Sequence, residues 1–104
     1  MKQKYRYLLI ELSIEIKDTK QFISDLHTEL MNMLGIYYYK FNLKIVSFPN
    51  EKTFIMKCAN SYLGHLIVAF TFIKYIKSQP VYFYTLKSSG TILSLRKYIS
   101  AELK

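Results

Sequence analysis

Apolar positions recur along this chain with two different spacings. In residues 5–15, YRYLLIELSIE, the period is two: Leu8, Ile10, Leu12 and Ile14 fall on one face, and Tyr7, Leu9, Glu11, Ser13 and Glu15 on the other. That predicts a strand with one apolar and one mixed face. The period then lengthens. Phe22, Ile23, Leu26, Leu30, Met33 and Leu34 form a helical stripe, opened by Asp18 with Gln21 three residues on and closed by Gly35 as a left-handed cap. Residues 37–48 alternate again, with Tyr39, Phe41, Leu43 and Ile45 set against Lys40, Asn42 and Lys44. A turn at Pro49-Asn50-Glu51-Lys52 and a short strand from Thr53 to Cys58 complete a predicted hairpin.

Asn60 is placed to cap a second helix running from about Ser61 to Lys77. Tyr62, Leu66, Ala69, Phe70, Ile73 and Ile76 make one stripe on it, and Val68, Phe72 and Tyr75 make another. A small domain has little depth in which to bury a helix that is apolar on two flanks, so Val68, Phe72 and Tyr75 are read as a partner surface, with Tyr7 of the first strand as a further partner-binding candidate. Ser78-Gln79-Pro80 ends this helix. Tyr82 to Leu86 is a strand, Ser88-Ser89-Gly90 a turn with Ser89 as N-cap, and Ile92, Leu95, Arg96 and Ile99 mark a last helix.

The resulting order is β-α-β-β-α-β plus a C-terminal helix. It predicts an α+β, ferredoxin-like (RRM-like) two-layer sandwich with a four-stranded antiparallel sheet, occupying residues 1–104 as one domain. No repeat, linker or low-complexity segment suggests a second domain.

Charge narrows the function. Fifteen Lys and Arg face seven Asp and Glu, a formal net charge of +8, which points to an acidic partner and most simply to nucleic acid. The longest apolar stretch, Tyr62 to Ile76, includes His65 and Lys74 and is shorter than the ~20 residues that span a bilayer. A membrane surface is the other acidic partner the charge allows, but no span is expected and nucleic acid in place of a membrane is the expected partner. The start MKQKYRY, followed by a short apolar run broken by Glu11, does not read as a signal peptide. Cys58 stands alone in an apolar strand and reads as a buried, inert thiol.

Catalytic patterns are missing from the sequence. His27 and His65 lie on different helices, one cysteine gives no zinc spacing, and Gly35, Gly64 and Gly90 form no phosphate loop. Glu11 and Glu15 share a strand face, where a solvated edge is the simpler reading. RNA contacts are better supported. Lys2, Lys4, Arg6, Lys40, Lys44, Lys87 and Lys97 are candidates for phosphate contacts, and Tyr5 and Tyr7 for base stacking on an open sheet face. The last helix opens with small residues beside Lys87, Arg96 and Lys97, which would favour an anion at Ser89, Gly90 and Thr91. The third strand, KTFIMKC, lacks the glycine and paired aromatics of the RNA-recognition signature. A free-standing single-stranded RNA binder and a small ferredoxin-fold enzyme remain as alternatives.

RYLLIEL (Arg6 to Leu12) and TLKSSGTILSLRKYI (Thr85 to Ile99), together with the order of elements, resemble the Pop-five subunit family of ribonuclease P and RNase MRP. The resemblance implies a ferredoxin-like, non-catalytic RNA-binding subunit of a ribonucleoprotein endoribonuclease. In such an assembly an RNA with bound Mg2+ removes the tRNA 5′ leader, and the protein itself binds no cofactor. Implied partners are the ribonuclease P or MRP RNA, a TIM-barrel subunit, other small protein subunits and, indirectly, precursor tRNA. The implied location is the nucleus or nucleolus in a eukaryote and the cytoplasm in an archaeon. Arg6, Tyr7, Gly90, Thr91 and Lys97 fall on the family's motif positions; Leu93 stands where many relatives carry a basic residue, with Arg96 one turn away.

Overall fold

The computed structural model describes residues 4–102. In chain order it holds β1 (Tyr5–Leu12), α1 (Thr19–Leu34), a 3-10 segment (Gly35–Phe41), β2 (Lys44–Asn50) and β3 (Thr53–Ala59). A short 3-10 turn (Asn60–Tyr62), α2 (Leu63–Phe72), the two-residue strands β4 (Tyr75–Ile76) and β5 (Gln79–Pro80), β6 (Phe83–Ser89) and α3 (Ile92–Glu102) follow. The main sheet is ordered β2-β3-β1-β6 with antiparallel neighbours, the ferredoxin-like arrangement expected from the two strand–helix–strand units.

Alternation along β1 and β3 divides the core between the two faces of the sheet. Leu8, Ile10, Leu12, Phe54, Met56 and Cys58 point to one side and are buried beneath Phe22, Leu26 and Leu30 of α1 and Leu66, Ala69 and Phe70 of α2. Leu9 and Ile55 point to the other side, where Leu95 of α3 closes over them with Tyr7, Val46, Leu86, Tyr98 and Ile99 around the rim. The final helix therefore adds a layer of its own on the face opposite α1 and α2. An extra residue in β6 helps it dock: Leu9 pairs with Lys87 and Ile10 with Thr85, leaving Leu86 as a bulge that also turns toward α3.

Local chemistry sets the element ends. Asp18 Oδ1 accepts a hydrogen bond from the Gln21 N–H at 3.2 Å, while the Gln21 amide reaches forward to Asp25 Oδ1 at 2.8 Å. The capping motif is therefore half made. Gly35 ends α1 at φ 60°, ψ −132°, a backbone conformation open to glycine rather than the left-handed helical cap expected; its N–H bonds to the Met31 carbonyl.

Three expected elements are corrected. The strand over residues 37–48 begins only at Lys44, because the chain first winds as a 3-10 segment that turns Tyr38 and Phe41, three apart, toward the core. The helix over 61–77 ends at Phe72. Ile73 and Ile76 stay buried in extended chain, and Lys77 and Ser78, both at positive φ, make the two-residue turn of a small hairpin. Asn60 makes no side-chain cap; its backbone N–H bonds to the Lys4 carbonyl at 2.9 Å. The last strand extends to Ser89, and the cap of α3 is Thr91, whose Oγ1 accepts from the Ser94 N–H at 3.3 Å. Ser89 Oγ acts one step earlier, accepting from the Thr91 N–H at 3.2 Å.

Candidate nucleic-acid and partner interfaces

The basic residues proposed from the sequence do not form one patch. On the α3 side of the sheet, Lys44 of β2 lies directly opposite Lys57 of β3, Lys57 opposite Tyr7 of β1, and Tyr7 opposite Ser89 of β6. Residues paired in this way share a face, so one transverse row crosses all four strands. Lys87, paired with Leu9, is on the same face, with Nζ 5.1 Å from the Tyr98 ring centre. Lys57 Nζ sits 4.2 Å from the Tyr5 ring centre. Lys57 was not among the expected contacts. Its signal was available: placing Phe54, Met56 and Cys58 on the apolar side of β3 leaves Lys57 on the other.

At the edge of this row, Arg6 points by alternation to the opposite face and donates weakly from Nη2 to Ser88 Oγ at 3.5 Å. A Cβ at Gly90 would lie 3.7 Å from Arg6 Nη1. Arg6, Ser89, Gly90 and Thr91 thus gather where β6 turns into α3. Arg96 and Lys97 are exposed on the outer surface of α3, and Lys4 is exposed before β1. Lys40 is apart from all of these, on the 3-10 segment, with Nζ 5.2 Å from the Tyr37 ring centre. Lys2 lies outside the described residues. Leu93 is 64% exposed.

Tyr7 packs at the rim of the Leu9–Ile55–Leu95 cluster and is half-buried. The open aromatic sheet required by the base-stacking reading is therefore largely covered by the chain's own last helix. Glu15 lies beyond the end of β1, so Glu11 and Glu15 do not share a strand face.

The residues expected to meet a protein partner lie on the other layer. A groove of about 850 Å³ runs between the end of α1, the 3-10 segment and α2, and Met33, Tyr37, Phe41, His65, Val68 and Phe72 are among its walls. Val68 and Phe72 are 55% and 65% exposed, as the two-flank reading of this segment predicted. Tyr75 is also exposed, but it stands on β4 beyond the helix and is not part of the groove wall.

The segment that walls the groove is tied to α1 by a hydrogen bond between the Tyr38 hydroxyl and His27 Nδ1. Burial pushes the His27 pKa below its ordinary value of 6.5. It pushes Tyr38 upward, with the Tyr39 hydroxyl adding to the rise. Burial also holds the Cys58 thiol up at about 11, far from a reactive thiolate. Among the described residues, no group of three or more His, Cys, Asp and Glu is placed to hold a metal ion, and no helix is long and apolar enough to cross a membrane.

These features define a small ferredoxin-like α+β protein with a cationic sheet face and an apolar groove on its helical side. The family is specific: the chain belongs to the Rpp14/Pop5 family, whose model matches residues 6–100, and the family consists of ribonuclease P and RNase MRP protein subunits. Among solved structures, the chain is similar to one in the cryo-EM structure of yeast ribonuclease MRP. That match has a TM-score of 0.70 and 11% identity and covers 99% of this chain and 94% of the other. At that identity the likeness shows the shared fold. A search of the curated proteins gives no match.

Proposed function

We propose that this protein is a non-catalytic RNA-binding subunit of ribonuclease P, and service in RNase MRP as well belongs to the same reading. It would support tRNA 5′-leader removal by bracing the catalytic RNA and docking neighbouring subunits. Membership of the Rpp14/Pop5 family carries the proposal. The placement of lysines and apolar surface supports a division of labour. Lys44, Lys87, Arg96 and Lys97, with the Ser89-Gly90-Thr91 turn, contact RNA from the α3 side. The groove beside Val68 and Phe72 receives a protein partner, for which a TIM-barrel ribonuclease P subunit is the candidate the family implies. Precursor tRNA is met only through the assembly, and bond breaking belongs to the RNA with its magnesium.

The test is to purify the tagged chain from its own cells, then sequence the RNA and identify the proteins that accompany it. Ribonuclease P RNA together with a TIM-barrel subunit is expected. Recovery of neither would refute the reading. In binding measurements, Lys87→Ala combined with Lys97→Ala should weaken RNA binding and flatten its dependence on salt. The slope should fall by about 0.7 to 0.9 for each phosphate that is no longer neutralised.

A further inference from the structure

Lys44 and Lys57 carry like charges on adjacent positions of an antiparallel pair, an arrangement that costs stability. Neither lysine is in an ion pair among the described residues; the ion pair found there joins Lys77 and Asp25. Lys44 is exposed, Lys57 is half-buried over the Tyr5 ring, and both lie outside the cluster that α3 covers. The adjoining strand contributes Tyr7, and Lys87 follows on the same face. An unneutralised lysine pair beside aromatic rings at one end of a sheet suits a polyanion whose charges are spaced along a chain.

We infer that Lys44 and Lys57 form a built phosphate-contact site for an RNA strand that crosses the β2–β3 end of the sheet, with Lys57 the residue the sequence reading overlooked. Two neighbouring phosphates of the strand neutralise the pair and remove the repulsion that the free protein tolerates. The inference rests on the RNA-binding reading above and assigns it a location. It adds Lys57 to the Lys44 contact already proposed and makes the two a single site, completed by two strands and independent of the last helix.

The experiment measures binding of the full chain to ribonuclease P RNA transcribed from the same genome, between about 50 and about 200 mM salt. Lys44→Gln/Lys57→Gln is compared with Lys17→Gln/Lys20→Gln, which removes the same charge at the exposed start of α1. The sheet pair should lower the salt slope by about 1.4 to 1.8, so that the salt-induced loss of affinity shrinks roughly tenfold across that range. The helix pair should leave the slope unchanged. Lys44→Glu should raise the melting temperature of the free chain while lowering RNA affinity, an opposition that a purely structural lysine pair would not produce. If the wild type binds RNA and both double variants keep its slope, this site is refuted and the RNA-binding reading stands. If the wild type shows no salt-dependent binding, both fall.

Discussion

Leu9 of β1 and Leu95 of α3 meet on the sheet face opposite α1 and α2, and neither side chain reaches solvent. This contact seals α3 over the centre of a sheet that an RNA-recognition module would leave open. Any nucleic acid on this side would be left the end of the sheet and the outside of the helix. Leu95→Ala should therefore destabilise the protein by about 2 to 5 kcal/mol, since it removes a buried side chain and leaves a cavity. Leu93→Ala, at an exposed position two residues away, should stay within about 0.5 kcal/mol. Urea unfolding of the two variants makes the comparison.

The cap of α3 can be separated from the residue before it. Thr91→Ala should cost about 1 kcal/mol, because Ser94 loses its hydrogen-bond acceptor at the helix start. Ser89→Ala should cost less, since its bond to the Thr91 N–H lies outside the helix. Thermal unfolding of the two single variants would show the difference, and equal losses would place the cap at Ser89.

His27 should give stability a pH dependence of defined sign. Its pKa is lower when folded than when unfolded, so the unfolded chain binds more protons as pH falls through the His range. The contribution of neutral His27 is fully present above about pH 6.5 and is lost as the solution is acidified toward its folded pKa. Melting temperature should fall from about pH 7.5 to about pH 5.5, and His27→Gln should flatten that decline.

Thr53 is 1% exposed, and its hydroxyl has no hydrogen-bond partner. Burying an unpaired hydroxyl is unfavourable, so Thr53→Val should raise stability by about 1 kcal/mol. Denaturant midpoints read this directly. A loss of stability would show that the hydroxyl is satisfied in solution.

Val68 and Phe72 face the groove without supporting the core. Phe72→Asp should change unfolding free energy by no more than about 0.5 kcal/mol. It should weaken association with the protein partner by about 2 kcal/mol, near thirtyfold in Kd. Quantifying the proteins recovered with wild-type and variant chains, with RNA recovery as the internal control, tests the separation of the two surfaces.

The sequence by itself determined which residues of β1 and β3 face α1 and α2, and that two strand–helix–strand units are present. A period of two and a period near four are local consequences of backbone geometry, and over β1, β3 and α1 the tertiary structure keeps them. They placed Leu8, Ile10 and Leu12 under α1 and α2 and left Val68 and Phe72 outside. Short apolar segments were less legible: Ile73 and Ile76 extend a helical stripe on paper, yet they are buried from extended chain because core burial does not require helix. Only the tertiary structure decided that Lys44 faces Lys57 and that Leu95 covers Leu9. Both depend on how separate segments are set in register, and one strand's own pattern carries no record of its neighbour's alignment.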